Sequence, residues 1–332
     1  MKFIEVCAGA GGLSSGLIDA GFTPMLLNDI NKDCCATLAL NHPDVKIKCC
    51  SMTDLNLKKY VNRVDLLTSG VPCQSFAISG QRRGLEDPRG NLLLCFIKMI
   101  HYVKPKMFLI ENVKGLTNHD GGKTFKYIIK LIEKKGLYKV SYQILNAVNY
   151  KVPQKRERVF IVGLLKTYSD IEFQFPSPRK QLIVLKDVLK DVPDSPGAKY
   201  PPIKVKLFKM IPQGGCWINL PVKLQKEYMG KSYYSGGGKR GILYRLDMNK
   251  PSLTLLCSPA QKQTERCHPI KNRPLTTREY ARIQTFKDNY QFVGSMSSIY
   301  KQIGNSVPRK LAKFMGRSIM KCLIAMKKID EH

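Results

Sequence analysis

The stretch "EVCAGAGGLSSGL", residues 5–17, decides how the first half of the chain folds. An apolar run of strand length leads into a turn that contains three glycines, Gly9, Gly11 and Gly12. Glycines allow a tight turn and a close approach of the backbone to a ligand, and a helix N-terminus favours polar or anionic groups. The stretch therefore predicts a strand, a tight turn and a helix start. A purely structural turn is the competing interpretation.

Apolar runs of strand length and helical segments alternate over the first 170 residues. The predicted strands are "FIEVC", "TPMLLND", "VDLLTSG", "KMFLIENV" and "RVFIVGLL", and helices are predicted at "NLLLCFIKMIHYV" and "TFKYIIKLIEKKG". This alternation predicts an α/β fold, a doubly wound and mostly parallel sheet with helices on both faces. Ligands bind such sheets beyond the carboxyl ends of the strands. Cys7, Asp29, Cys73 and Glu111 lie at those ends, so we expect them to share one rim.

The alternation stops at about residue 178, where Pro, Gly, Lys, Arg and Tyr become frequent. We predict a smaller irregular domain over residues 179–291, either a loop-rich insert or a surface that contacts nucleic acid. The larger domain then spans residues 1–178 and is completed by residues 292–332. Its last segment predicts an amphipathic helix that packs on this domain. The apolar stripe of that helix consists of Leu311, Phe314, Met315, Ile319, Cys322, Leu323 and Met326.

The charge balance of the 332 residues indicates a polyanionic partner. Lys and Arg total 55 against 25 Asp and Glu, a net charge of +30. Nucleic acid is the first expectation and an anionic membrane surface the second. No apolar run reaches the ~20 residues of a membrane span and no signal-peptide pattern is present, so we expect a cytoplasmic enzyme with reduced cysteines. The 11 cysteines and five histidines lack metal-ligand spacing, so no metal site is expected.

The glycine turn departs from two nucleotide-binding patterns. Ser14 stands where the third glycine of G-x-G-x-x-G belongs, and the phosphate-binding pattern G-x-x-x-x-G-K-[ST] is not met. Asp29 ends the second predicted strand, at a distance suited to accepting hydrogen bonds from ribose hydroxyls. We therefore expect a cofactor that contains a nucleoside but no pyrophosphate.

The stretch "GVPCQSFAISGQRRGLEDPRG", residues 70–90, places Cys73 at the mouth of a basic loop. Most free cysteines are small buried hydrophobic residues, which is the alternative interpretation. Glu111 in "LIENVKG", and Arg156 and Arg158 in "QKRERVF", supply partners for a nucleophile. Together such groups can activate cytosine. The thiolate adds to C6, the carboxyl group protonates or hydrogen-bonds N3, an arginine donates to O2, and C5 becomes nucleophilic toward a methyl donor.

Six segments then occur in an order that resembles the DNA (cytosine-5)-methyltransferases of bacterial restriction-modification systems. They are "CAGAGG", "PCQ", "ENV", "QKRER", "RPLTTREYARIQTF" and "IGNSVP". The matches cover nearly the whole chain except about residues 178–272, where this family keeps its target-recognition domain. The resemblance implies a class I S-adenosylmethionine-dependent methyltransferase fold. It further implies methyl transfer to C5 of a flipped-out cytosine in a short specific duplex DNA site, through a covalent Cys73–C6 intermediate.

The resemblance also assigns roles to residues. It implies that Cys73, Glu111, Arg156 and Arg158 are catalytic. It implies an S-adenosyl-L-methionine site formed by Cys7, Gly9, Ala10, Gly11, Gly12, Leu13, Asp29, Ile30, Ser51, Met52, Pro72, Leu92, Asn305 and Val307. For DNA contact we expect Gln74, Ser79, Gln81, Arg82, Arg89, Lys239 and Arg240.

Two positions depart from the family pattern. Cys7 stands where the family usually has Phe, and Ser51 stands where it usually has Asp, unless the alignment shifts by one so that Cys50 is the equivalent. A tRNA cytosine methyltransferase of the same fold and a catalytically silent DNA-binding relative are the alternative functions. We further expect a monomer that binds double-stranded DNA, no membrane partner, and a cognate restriction endonuclease acting on the same site.

Overall fold

The computed structural model describes residues 1–71, 92–235, 241–261 and 265–331. Its centre is a seven-stranded sheet with the strand order β3-β2-β1-β4-β5-β7-β6. β7 runs antiparallel to β5 and β6, and the other neighbouring pairs are parallel. This confirms the predicted mostly parallel α/β sheet. The strands are β1 Lys2–Val6, β2 Thr23–Asp29, β3 Ile47–Cys49, β4 Leu66–Ser69, β5 Met107–Val113, β6 Tyr138–Asn146 and β7 Glu157–Leu165.

Helices cover both faces of the sheet, as the alternation predicts. The helices of the described ranges are α1 Gly12–Asp19, α2 Lys32–Asn41, α3 Leu92–Val103, α4 Lys123–Glu133, α5 Pro202–Phe208, α6 Val222–Met229, α7 Thr277–Ile283, α8 Met296–Asn305 and α9 Arg309–Asp330. Apolar side chains of α1, α2 and α9 form the core on one face, and those of α3 and α4 form the core on the other. None of these helices is long and apolar enough to cross a membrane.

The strands missing from the sequence prediction are the two edge strands, β3 and β6. An edge strand exposes more of its surface than a central strand, so its sequence carries no continuous apolar run. β6 reads "YKVSYQILN" and exposes Tyr142 and Ile144. β3 is only three residues long. Apolar runs in the sequence therefore predict the central strands but not the two edge strands.

The irregular region contains no strand among its described residues and has two small apolar cores. One is built around Leu207, Phe208 and Leu243, and the other around Leu255, Tyr280 and Ile283. Side chains of α8 pack into the second of these cores. The division of the chain into two domains with boundaries at 178 and 291 stays a prediction.

Arg245 organises the loops of this region in place of a sheet ladder. The side chain is only 4% exposed and donates hydrogen bonds to the carbonyl oxygens of Ile211 at 2.8 Å and His268 at 3.0 Å. It also donates to the carbonyl oxygen of Phe208 and to Oδ1 of Asn272. Buried carbonyl groups need such partners, and a guanidinium has five N–H donors to offer.

The C-terminal helix α9 packs closely on α1, at a point where α1 has a glycine. The stripe predicted on α9 is buried against α1, which confirms that the helix returns to the first part of the chain. A Cβ on Gly16 would lie 2.3 Å from Cβ of Ala312 and 2.5 Å from the carbonyl oxygen of Arg309. Arg309 also donates to both carboxylate oxygens of Asp19, at 2.8 and 2.7 Å.

We predict that Gly16→Ala destabilises the protein. Alanine gains up to about 1 kcal/mol of helix propensity over glycine. The clash with backbone on α9 outweighs this gain, because overpacking typically costs about 1–3 kcal/mol and the Arg309 carbonyl has little freedom to move. Thermal unfolding should show a midpoint lower by a few degrees. Gly115→Ala is the control, since a Cβ there meets nothing within 4 Å. Equal midpoints for the two variants would contradict the prediction.

Candidate active site

A cavity of about 520 Å³ lies over the carboxyl ends of the central strands, and we call it the rim cavity. It is lined by the glycine turn after β1, the end of β2, the turn at 51–52, the second half of β5, the start of β7 and the end of α8. Cys7, Asp29 and Glu111 all line it, which confirms that they share one rim. Cys73, the fourth residue expected there, lies outside the described residues.

The three glycines of the turn have different structural roles. Gly9 has φ +55°, lines the rim cavity, and would have open space around a Cβ. Gly11 has φ +75°, and a Cβ there would lie 2.7 Å from the hydroxyl of Tyr290. A Cβ on Gly12 would lie 2.3 Å from the carbonyl oxygen of Val307. Gly9 therefore leaves room for a ligand, while Gly11 and Gly12 are needed so that distant segments can pack against the turn.

Asp29 fixes the geometry of this end of the cavity. One carboxylate oxygen accepts from the N–H of Gly9 and the other from the N–H of Asn31, each at 2.8 Å. A carboxylate has about four lone-pair sites, so both oxygens keep capacity to accept from a ligand hydroxyl. Ile30 is 72% exposed beside it and presents an apolar surface to the cavity. The arrangement suits a ribose next to a flat base.

The two departures from the family pattern, Cys7 and Ser51, both line the rim cavity. Ser51 lines the rim cavity, whereas Cys50 lines a separate cavity. The Ser51 hydroxyl lies 2.7 Å from Oγ1 of Thr53 and accepts from the Thr53 N–H at 3.3 Å. Cys7 donates its thiol to the sulfur of Met52 at 3.7 Å, and burial raises the pKa of that thiol to about 12. Cys7 is therefore a neutral filler of the cavity wall.

Glu111 and Arg158 form an ion pair at the opposite end of the cavity. β5 and β7 are antiparallel and place Arg158 opposite Val113, so it lies diagonally across from Glu111 on the same face. Nε of Arg158 lies 3.0 Å from Oε1 of Glu111, and the two side chains are only 14% and 10% exposed. Burial raises the pKa of Glu111 above its ordinary value, although the cations of Arg158 and Arg156 act to lower it.

Arg156 is placed differently from Arg158, which the sequence does not reveal. Its side chain is fully buried and donates to the carbonyl oxygens of Leu255 at 3.3 Å and Asn305 at 3.4 Å. Burial and the neighbouring Arg158 lower its pKa to about 9, so it stays a cation at neutral pH. Arg156 thus ties the start of β7 to the end of α8.

Several lining residues were not singled out from the sequence. Asn112 follows Glu111 and donates its amide to the carbonyl oxygen of Val71 at 3.0 Å, which holds the chain just before Pro72 and Cys73. Glu5 is buried under the turn, and burial raises its pKa to about 8. Lys301 and Gln302 reach the cavity from α8, the helix that leads into the "IGNSVP" segment. Proximity to that segment was the only sequence indication for them.

The expected cofactor residues largely meet in the rim cavity. Those that line it are Cys7, Gly9, Gly12, Leu13, Asp29, Ile30, Ser51, Met52, Leu92, Asn305 and Val307. Ala10 and Gly11 belong to the same turn but do not line the cavity. Pro72 lies outside the described residues, as do all residues expected to contact DNA: Gln74, Ser79, Gln81, Arg82, Arg89, Lys239 and Arg240.

Comparison with known proteins identifies the family. The family model for C-5 cytosine-specific DNA methylase matches residues 1–321. Type II methyltransferase M.PspPI of Psychrobacter sp. (strain TA137) is 47% identical over 335 residues, covering 98% of this chain and 80% of its own length. Type II methyltransferase M.Eco47II of Escherichia coli is 47% identical over 328 residues, covering 96% and 79%.

Solved structures agree on the fold. A protein encoded within an Escherichia coli prophage has a TM-score of 0.73 and 25% identity, with 98% of this chain and 99% of that one covered. Spodoptera frugiperda DNMT2 has a TM-score of 0.67 and 18% identity, covering 97% and 99%, and supports the fold alone. The sheet is that of the class I S-adenosylmethionine-dependent methyltransferases. The chain belongs to the C-5 cytosine-specific DNA methylases, which use S-adenosylmethionine to methylate cytosine in DNA.

Proposed function

We propose that this DNA cytosine-5 methyltransferase acts as a monomer on cytoplasmic DNA at a short specific duplex site, with Cys73 as the nucleophile. We also propose that it protects this site from a cognate restriction endonuclease. The type II methyltransferases among its relatives support the second part. The observation that carries the first part is the buried Glu111–Arg158 pair, which shares one cavity with the Asp29 turn.

The rim cavity fits S-adenosylmethionine at its β2 end. Asp29 would accept from the ribose hydroxyls, Ile30 would cover the adenine, and the Ser51 hydroxyl would accept from the adenine amine. Open space at Gly9 leaves room for the rest of the molecule. When bound, the cofactor supplies an electrophilic methyl group on a sulfonium ion.

The groups at the other end of the cavity are matched to cytosine. The Cys73 thiolate adds to C6 and forms a C–S bond, while Glu111 gives a proton to N3. A raised pKa suits this role, because the carboxyl group retains its proton to higher pH than an ordinary glutamate. Arg158 orients Glu111 and is placed to donate to O2. The resulting enamine makes C5 nucleophilic. After methylation a base removes the C5 proton, the C–S bond breaks with its electron pair going to the thiolate, and the N3 proton returns to Glu111.

The described thiols that line the rim cavity do not suit the reaction, which supports the choice of Cys73. Cys7 and Cys34 line the rim cavity, and burial raises the pKa of each to about 12. A nucleophilic cysteine needs the thiolate, so neither suits the reaction. C6 of cytosine is inaccessible in a stacked duplex, which is why the target base must be flipped out to reach this depth. Membership of a DNA methylase family favours DNA over the tRNA alternative.

We predict that Cys73→Ser abolishes methylation and leaves DNA binding intact. Labelled cofactor should modify plasmid DNA and not tRNA with the wild type, and neither with the variant. A 5-fluorocytosine duplex carrying the site, identified by bisulfite sequencing, should trap only the wild type covalently, because no C5 proton can be removed. Cys49→Ser, an exposed thiol outside the rim cavity, is the control. A covalent adduct at wild-type yield with Cys73→Ser would disprove the assignment.

We predict that Glu111→Gln slows single-turnover methyl transfer by about 10²–10⁴-fold, the usual contribution of a general acid. The wild-type rate should also fall as the pH rises through the raised pKa of Glu111, because the protonated form is then lost. The residual rate of the variant should lack this fall, since an amide does not titrate. Glu157→Gln is the control, because Glu157 is exposed and paired with Lys114 at 3.0 Å. If the rate of Glu111→Gln still fell at high pH, the titrating group would be a residue other than Glu111.

We predict that Ser51→Asp tightens S-adenosylmethionine binding about five-fold. A neutral hydrogen bond contributes about 0.5–1.5 kcal/mol and one to a charged group about 1.5–3, and a difference of about 1 kcal/mol corresponds to that factor. Aspartate can also cap the turn at Thr53 as serine does, so stability should not change. Calorimetric titration measures the affinity, and the single-turnover rate at saturation should stay the same. Unchanged or weaker binding would show that another group already accepts from the adenine amine.

A further inference from the structure

A second cavity, of about 830 Å³, lies beside edge strand β3, and we call it the β3 cavity. Its walls come from β3 and its flanks and from the chain between β3 and β4. Leu26, Leu55 and Val61 form an apolar part of its lining. It takes in Lys46, just before β3, and Arg63, just before β4, so it reaches toward the end of the sheet opposite the catalytic rim. The polar lining residues are Lys46, Lys48, Asp54, Asn56, Lys58, Lys59 and Arg63.

The charge in this cavity is strongly unbalanced. Five of its lining side chains are cationic, and Asp54 is the single carboxylate among them. None of the five cations forms an ion pair with any residue of the described ranges, whereas many other lysines and arginines of the protein do. The five cations thus face one cavity, and no carboxylate of the described ranges forms an ion pair with them.

Protection of a sheet edge explains only part of this arrangement. Lysines on an edge strand prevent unwanted strand pairing, and Lys46 and Lys48 suit that role. Lys58 and Arg63 lie outside any strand, yet they face the same cavity. Their convergence on one concave surface points to a ligand with several negative charges.

We propose that the β3 cavity binds the phosphate backbone of DNA, at a place separate from the catalytic cavity. The apolar part of the lining suits deoxyribose, and the surrounding cations suit phosphates. The ring of Tyr60 is buried, with the Lys59 ammonium 4.9 Å from its centre, so it is not free to stack on a base. The cavity therefore recognises backbone and carries no sequence information, as phosphate contacts generally do.

This placement gives the enzyme a second hold on long DNA. A duplex that reaches beyond the target site, or another segment of the same molecule, supplies the phosphates. Each phosphate neutralised on duplex DNA contributes about −0.9 to the slope of log K against log[salt]. The β3 cavity should therefore contribute to the slope measured with a long duplex. A short duplex that covers only the target site should lack this contribution.

The test compares two triple variants with equal loss of charge. Lys48→Gln/Lys58→Gln/Arg63→Gln empties the β3 cavity of three cations and leaves Lys59 on Tyr60. The matched control, Arg317→Gln/Lys321→Gln/Lys328→Gln, removes three exposed cations from α9 that pair with no described residue. Fluorescence anisotropy of a labelled 60-base-pair duplex without a target site, over a range of salt concentrations, measures the slope.

We expect the slope for the β3 variant to be shallower than that of the wild type by about 2, as loss of two to three phosphate contacts requires. The control slope and the thermal midpoints of both variants should match the wild type. Equal slopes for the two variants would overturn the proposal. A second result would also overturn it. If inorganic pyrophosphate raised the thermal midpoint of the wild type but not that of the β3 variant, and the DNA slope of the variant stayed unchanged, the ligand would be a small polyphosphate.

The outcome is independent of the catalytic assignment. Single-turnover methylation of a 14-base-pair duplex with the target site should proceed at the wild-type rate in the β3 variant, and multiple turnover on plasmid should slow. If the wild type methylated neither DNA, the proposed function would be wrong. The anisotropy result would still decide whether the β3 cavity binds DNA. A slowed single turnover on the short duplex would place these cations in the catalytic cleft and overturn the proposal of a separate site.

Discussion

The contact between the backbone of the glycine turn and the backbone of the Ser306–Val307 segment is the constraint on which the rest of the site depends. Gly12 sits where any side chain would collide with the Val307 carbonyl, and Gly16 one turn later touches α9 in the same way. This contact joins segments almost 300 residues apart. It places Asn305 and Val307 in the wall of a cavity whose other wall is the end of β1 and β2. The rim cavity thus arises from the packing of distant segments against the turn, not from the turn alone.

Two buried arginines extend the same principle to the irregular part of the molecule. Arg156 links the start of β7 to Leu255 and Asn305, and Arg245 gathers carbonyl groups from two segments, residues 208–211 and 268–271. Where no sheet ladder is present, a planar cation with several donors satisfies backbone oxygens that would otherwise be buried without partners. Arg156 is therefore a structural tie, whereas Arg158, two residues later, pairs with Glu111 in the rim cavity.

The sequence predicted the parts of the molecule whose physics is local. Central strands are buried on both faces and so read as apolar runs, and the carboxyl-end rule brought Cys7, Asp29 and Glu111 to one rim. Edge strands β3 and β6 lack that apolar run and were missed. The different places of Arg156 and Arg158 depend on contacts with residues about 100 and 150 positions away, and spacing carries no information about them. The β3 cavity is likewise assembled by the turns between two strands, so its lysines look like ordinary surface charge in the sequence.

The closure of the rim cavity by α8 and the residues after it has a consequence for the order in which the enzyme matures. Chains are synthesised from the N-terminus, and domains generally fold as their residues become available. The strands that carry Asp29 and Glu111 are made first, and Asn305 and Val307 follow Glu111 by almost 200 residues. A nascent chain therefore holds an unfinished rim cavity until α8 and the residues after it have been made. A chain that ended before α8 would carry Asp29 and Glu111 without the part of the cavity wall that Asn305 and Val307 supply.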